Sequence, residues 1–190
     1  MRTVEQSRTT KETQISVKLN LDGSGVTHIS TGIAFFDHLV RTLGVHSRID
    51  LTIDAKGDLR HHTVEDVGIT LGEAFRKALG DGRGIQRFGY AVVPMDDALA
   101  LAAVDLATRP YTKIDLKIAG DTIEDTTRED ILHFLESFAL ALRGNVHMIV
   151  EYGSNDHHKV ESAVKALALS LRQAVSSTGT DEIASAKGTL

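Results

Sequence analysis

The chain has no cysteine and no tryptophan, and only two prolines among its 190 residues. Without cysteine there is neither a disulfide framework nor a thiolate metal site, so any metal chemistry falls to histidine and carboxylates. No Pro-rich or Gly/Ser-rich run supplies a long linker, and the chain reads as folded except at its ends. Positive charge is also in deficit: 21 Lys and Arg face 26 Asp and Glu, a formal net charge of −5. That balance opposes a general nucleic-acid or anionic-membrane surface, and three Tyr and six Phe make no visible platform for stacked bases. No apolar run approaches the roughly 20 residues of a membrane span, and the opening "MRTVEQSRTTKET" lacks a signal peptide's apolar core. The expectation is a cytoplasmic protein with no nucleic-acid or membrane partner, in which any anionic ligand must meet locally gathered cations.

Hydrophobic periodicity organises what is present. "TQISVKLNLDG" alternates at Ile15, Val17, Leu19 and Leu21, meets a turn signal at Asp22-Gly23, and with "GVTHIST" reads as a hairpin. In "GIAFFDHLVRTLGVHS" Phe36, Leu39, Val40 and Leu43 keep helical spacing, with Gly44 as the expected C-cap. A strand, "RIDLTIDAKGD", precedes a long helix whose stripe is Val64, Val67, Leu71, Phe75 and Leu79, ended by Gly80. The order is β-β-α-β-α, with room for one more strand. The second half repeats the theme, with one or two strands in "YAVVPMDDALALAAVDLATRP", then "YTKIDLKIAG", the helix "REDILHFLESFALAL", the strand "NVHMIVEYG" and the helix "HHKVESAVKALALSLRQAV".

The repetition extends to chemistry. "HHTVED" and "HHKVES" place His61 and His157, His62 and His158, and Glu65 and Glu161 each 96 positions apart, while His38 and His133 differ by 95. One His-His pair at a helix start is ordinarily a solvated surface, but six of nine histidines at matching positions point to a shared metal role. His61 and Glu65, four apart, share a helix face, whereas His62 is turned by about 100° and must serve elsewhere. The simplest division is two equivalent sites of three imidazoles and one carboxylate, leaving open positions on an octahedral ion such as Mn²⁺ or Fe²⁺. Which copy gives which ligand to which ion stays open in the sequence, as does whether the facing copies belong to one chain.

With these residues stand "TKET", "LNLDGSG", "FFDHL", "HHTVEDVGITLGEA", "ALGDGRGIQRFG", "PMDDALA", "DLATRPY", "HFLES", "NDHHKVESAVKALALSLRQA" and "SAKG". In this order, over nearly the whole chain, they resemble the imidazoleglycerol-phosphate dehydratases of histidine biosynthesis. The resemblance implies an α+β fold with internal duplication of two similar units, each a four-stranded sheet plus two helices, like the second domain of ribosomal protein S5. The expected division is a first half over 1–88, a second over 89–178 forming one compact unit with it, and a C-terminal tail, 179–190, that serves the substrate phosphate. It implies dehydration of imidazole glycerol phosphate to imidazole acetol phosphate with two Mn²⁺ per active site, through a metal-stabilised imidazolate and a diazafulvene-like intermediate. It further implies trimers assembled into a 24-mer with active sites between subunits.

The family's metal ligands map onto His38, His61, His62, Glu65, His133, His157, His158 and Glu161. Its substrate contacts map onto Glu12, His46, Arg87, Arg109, Lys165, Ser185 and Lys187, of which Arg87, Arg109 and Lys165 are the phosphate contacts and Ser185 and Lys187 complete the cradle, with Glu12, Glu65 and Glu161 as candidates for catalytic proton transfer. Two departures stand out: "GDLRHH" is shorter than the family pattern, implying a tighter loop without the usual further Asp residues, and Ala107-Thr108 replaces Ser-Gly before Arg109. Two other classes share the same donor chemistry, a dinuclear metallohydrolase and a non-catalytic metal-binding scaffold particle.

Overall fold

A computed structural model describes residues 2–189. The first half runs β1 (Thr3–Thr9), β2 (Thr13–Asn20), β3 (Thr27–Ser30), α1 (Ala34–Ser47), β4 (Asp50–Gly57) and α2 (Arg60–Leu79). The second runs β5 (Phe88–Met95), β6 (Ala98–Asp105), β7 (Tyr111–Asp115), a two-stranded hairpin of β8 (Thr122–Ile123) and β9 (Thr126–Thr127), α3 (Arg128–Leu142), β10 (Asn145–Tyr152) and α4 (Asp156–Val175). The large sheets have the orders β1-β2-β4-β3 and β5-β6-β10-β7. In each, one strand pair is parallel, β3 with β4 and β7 with β10. The α+β duplication is therefore strand for strand, with the β8–β9 hairpin as an insertion in the second copy alone.

The expected hairpin of the first two apolar runs does not form. β2 lies between β1 and β4, and β3 sits on the far side of β4. The loop over residues 21–26 crosses the end of the sheet, and Asp50 Oδ1 holds it by accepting from the backbone N–H groups of Ser24, Gly25 and Val26 at 2.8, 3.0 and 2.9 Å. The hairpin partner of β2 is instead the polar N-terminal segment, registered from Thr3 opposite Asn20 to Thr9 opposite Gln14. That edge strand has no apolar alternation because its inner face meets carboxylates of α2: Arg8 Nε is 2.7 Å from Asp66 Oδ1 and Gln6 Nε2 is 3.2 Å from Glu73.

The four helices fill the middle, α1 against α4 and α2 against α3, while α2 lies on the first sheet and α4 on the second. Every residue of the apolar stripes named from the sequence is buried. Gly80 ends α2 with φ 60°, as expected, but Gly44 does not end α1. Arg48 is the left-handed C-cap there, and Gly44 lies inside the helix, where a Cβ would stand 2.5 Å from Thr27 Cγ2. At the α2–α3 crossing a Cβ on Gly72 would stand 2.5 Å from the Phe138 carbonyl oxygen. The absence of side chains there lets the two backbones approach and brings the N-terminal turns of both helices together.

Candidate metal centres

Two clusters arise where the halves meet, and each draws on both. His38 of α1 joins His157 and Glu161 of α4, and His133 of α3 joins His61 and Glu65 of α2; within each cluster the ligand atoms lie within 4.8 Å of one another. In the first, His38 Nε2 and His157 Nε2 approach the same oxygen, Glu161 Oε2, at 3.0 and 3.1 Å. Phe35 walls the cleft, its ring 4.8 Å from that of His157. In the second, His61 and His133 stack at 4.8 Å, and His133 Nε2 lies 3.3 Å from Glu65 Oε1. That Nε2 is shielded from solvent yet lacks the alignment of a hydrogen bond, so it is an orphaned polar atom.

Carboxylates fix how these rings are presented. Asp130 Oδ1 accepts from His61 Nδ1 at 2.9 Å, and Glu124, in the turn of the β8–β9 hairpin, accepts from His157 Nδ1 at 3.2 Å. A neutral ring that donates from Nδ1 carries a lone pair at Nε2. Both ring nitrogens of His157 face carboxylates, and a neutral His157 that donates from Nδ1 to Glu124 offers Glu161 only the Nε2 lone pair, an arrangement that a cation between them would stabilise. Crowded acceptors in one cluster and an orphaned Nε2 in the other both fit a divalent ion, and carboxylate-held imidazoles are the usual support of metal-binding histidines.

Burial works against ionisation of Glu161, but hydrogen bonds from His38 and Lys165, with the charge of Lys165, outweigh it and bring its carboxyl down to about 2. The anion persists even though the residue is buried, as a metal ligand requires.

His62 and His158 stand outside both clusters, so each cluster holds two imidazoles and one carboxylate where the simplest division expected three and one. Both are nonetheless oriented. His62 Nδ1 donates to Asp58 Oδ1 at 2.8 Å, which raises the imidazole above its ordinary range, and His158 Nδ1 donates to Asp97 Oδ1 at 2.6 Å. The His158 bond, with backbone N–H groups of Ser154 and Asn155, holds Asp97 well below the usual carboxylate range. Glu12, exposed in the β1–β2 turn, has Oε2 3.7 Å from His62 Nδ1. His46 lies in the last turn of α1, where partial burial and then the Lys165 ammonium lower its pKa, against the pull of Glu161.

The phosphate candidates divide. Arg87, Arg109, Ser185 and Lys187 line one pocket with Ala107 and Thr108. Arg87 is clamped by Asp105 at 2.7 and 3.0 Å and donates to the Ala184 carbonyl at 2.7 Å, which ties the tail to the sheet. Lys165 is not among them; its Nζ is 2.9 Å from Glu161 Oε1. The pocket adjoins the last turn of α4, since Arg87 N donates to the Ala174 carbonyl. Ala174 is thirteen residues past Glu161 on that helix, about 20 Å along its axis.

The orienting carboxylates Asp58, Asp97, Glu124 and Asp130 were not singled out from the sequence. Asp58 carries a helical signal, four residues before His62; Asp97, Glu124 and Asp130 reach their histidines only through the tertiary fold. Asp125 is a further one: its carboxylate accepts from the backbone N–H groups of Ala34 and Phe35 at 2.8 and 2.9 Å, capping α1 from the other half where Ile33 offers no side-chain cap.

A duplicated α+β fold thus sets two crosswise His–His–Glu donor groups between its halves, each able to hold a metal ion. The family model described as imidazoleglycerol-phosphate dehydratase matches residues 31–171. An imidazoleglycerol-phosphate dehydratase of Methanothermobacter thermautotrophicus is 48% identical over 193 residues, covering 100% of this chain and 98% of its own. One from Phytophthora nicotianae is 50% identical over 97% of this chain, which spans only 41% of that longer protein. A crystal structure of the Pyrococcus furiosus protein, in complex with (S)-C348, superposes with TM-score 0.85 at 38% identity, covering 97% of this chain and 99% of that one. The chain belongs to the imidazoleglycerol-phosphate dehydratase family, whose members are hydro-lyases.

Among the described residues no helix is long and apolar enough to cross a membrane.

Proposed function

We propose that this chain dehydrates imidazole glycerol phosphate to imidazole acetol phosphate in histidine biosynthesis, using two Mn²⁺ ions per active site. His38, His157 and Glu161 would hold one ion and His61, Glu65 and His133 the other, with His62 and His158 of neighbouring subunits completing the two sets. When bound, the ions supply Lewis-acid stabilisation of negative charge on the substrate's imidazole ring. That charge is needed because the departing proton sits on a carbon with no adjacent carbonyl, so the ring itself must provide the acidity.

The chain's own residues supply the rest. Arg87, Arg109, Ser185 and Lys187 bind the phosphate, and the bidentate Arg87–Asp105 pair holds that cradle in shape. Lys165 and His46, beside the first cluster, contact the substrate's polar groups. Glu12 is the proton carrier: exposed in its turn and 3.7 Å from His62 Nδ1, it is placed to take up or return a proton near the ring. Glu65 and Glu161 are the other carboxylates within reach for proton transfer. Loss of the C–H proton and the neighbouring hydroxyl as water leaves an enol, which tautomerises to the ketone.

The observation that carries this reading is the pair of crosswise His–His–Glu clusters. A second supports assembly: a glycerol phosphate arm does not bridge the roughly 20 Å between Glu161 and the anion pocket of the same chain. One active site therefore takes its clusters and its phosphate cradle from different subunits, in trimers built into a 24-subunit particle. The test is direct. Metal-free protein given imidazole glycerol phosphate forms product only after Mn²⁺ is added; no product with Mn²⁺ present overturns the dehydratase reading. Hydrolysis of a phosphate ester under the same conditions points instead to a metallohydrolase.

A further inference from the structure

The two clusters have the same donor types and the same kind of supporting carboxylate, Glu124 behind His157 and Asp130 behind His61. They differ one helical turn past the glutamate. Position 165 is Lys, with Nζ 2.9 Å from Glu161 Oε1, and the place four residues after Glu65 is taken by Ile69. Residues four apart share a helix face, so both side chains stand beside their glutamate. Glu161 is thus an ion pair before any metal arrives, its side chain 10% exposed and that of Lys165 22%. Among the described residues, Glu65 has no ammonium or guanidinium within ion-pair distance; its ionisable neighbours are imidazoles, His133 at 3.3 Å and His62 at longer range.

Building on the metal reading above, we propose that the two sites are electrostatically unequal: the His61–Glu65–His133 site takes up the first divalent cation, the His38–His157–Glu161 site the second, and Lys165 sets the gap. An incoming cation at Glu161 must compete with an ammonium already bound to that carboxylate and is repelled by it. At Glu65 it meets a carboxylate neighboured by imidazoles and by no ammonium. A unit charge about 5 Å from a divalent ion, even with the screening of water, changes affinity on the order of tenfold. The duplication therefore made twin ligand sets, and a single Lys-for-Ile difference between the copies gave them an order of filling.

The test is a Mn²⁺ titration of the metal-free, full-length assembly, followed by the electron paramagnetic resonance of free Mn²⁺. Wild type is expected to bind two ions per chain in two affinity classes about tenfold apart. Lys165→Met should tighten the weaker class by a similar factor and leave the tighter one unchanged. Ile69→Lys, which places an ammonium beside Glu65, should weaken the tighter class; circular dichroism checks that each variant is folded. A single class in wild type, or a gap unchanged by Lys165→Met, overturns the inference while leaving the metal sites standing. Failure of wild type to bind Mn²⁺ at all overturns the metal reading itself and the inference with it.

Discussion

The second imidazole nitrogen decides what each histidine can do. His158 and His62 donate from Nδ1 to Asp97 and Asp58, so under the proposed function each would offer Nε2 to a metal ion. Asp97 is itself fixed by the backbone N–H groups of Ser154 and Asn155, so it locks the ring as well as choosing its tautomer. Asp97→Ala is expected to weaken Mn²⁺ binding by roughly 10- to 100-fold with the fold unchanged, as measured by metal titration beside circular dichroism. Arg109→Ala, which removes a cation from the anion pocket, should keep the wild-type metal content and raise KM by about tenfold or more in steady-state kinetics. Unchanged KM would remove Arg109 from the phosphate cradle. The eight candidate ligands were legible because duplication repeats them at a fixed interval. Their carboxylate partners were not, because the two halves recruit them differently: Asp58 from the residues just before its own helix, Asp97 from a β-turn, Glu124 from an inserted hairpin.

At the scale of elements, two close approaches hold the clusters together. Gly72 lets α2 touch the backbone of α3, and Gly72→Ala would press a methyl group into the Phe138 carbonyl. A loss of about 1–3 kcal/mol is expected, read as a lower midpoint in urea. The N-terminus of α1, the helix that carries His38, is capped by Asp125 from the second half, so Asp125→Ala should destabilise the protein by about 1 kcal/mol. Burial raises the Asp125 carboxyl pKa, but its bonds to the Phe35 and Ala34 amides win and leave it below the ordinary value. The cap's contribution is therefore fully present above about pH 4 and is lost as pH falls through the lower folded value. Urea midpoints of wild type and Asp125→Ala should converge in that acid range; a gap that persisted there would assign the effect to something other than the charged cap.

Helix periodicity makes α1 to α4 legible in the sequence, because their apolar stripes bury against each other and the sheets. It said nothing of β1, whose partners on α2 are polar, and it joined β2 to β3 because a sequence-adjacent turn hides a crossing to the far edge of the sheet. Gly44 likewise read as a helix end, although its small size serves the contact with β3.

For the whole molecule, the halves are not independent carriers of one site each. Each cluster takes a single histidine from one half and a His–Glu pair from the other, which is why the repeat alone left the ligand partition open. The pocket of Arg87, Arg109, Ser185 and Lys187 adjoins the end of α4 opposite Glu161, and under the proposed function one active site would draw its clusters and its phosphate cradle from different chains. This separation is the central claim, and mixed assemblies test it most directly. His157→Ala chains, lacking a metal ligand, and Arg109→Ala chains, lacking a phosphate contact, are co-assembled and assayed for dehydration at substrate well below KM. Sites that draw their clusters from one variant and their cradle from the other are intact, so activity is predicted to rise well above the sum of the two separate variants. Activity that stays at that sum would mean each site is built within a single chain, and would contradict the account.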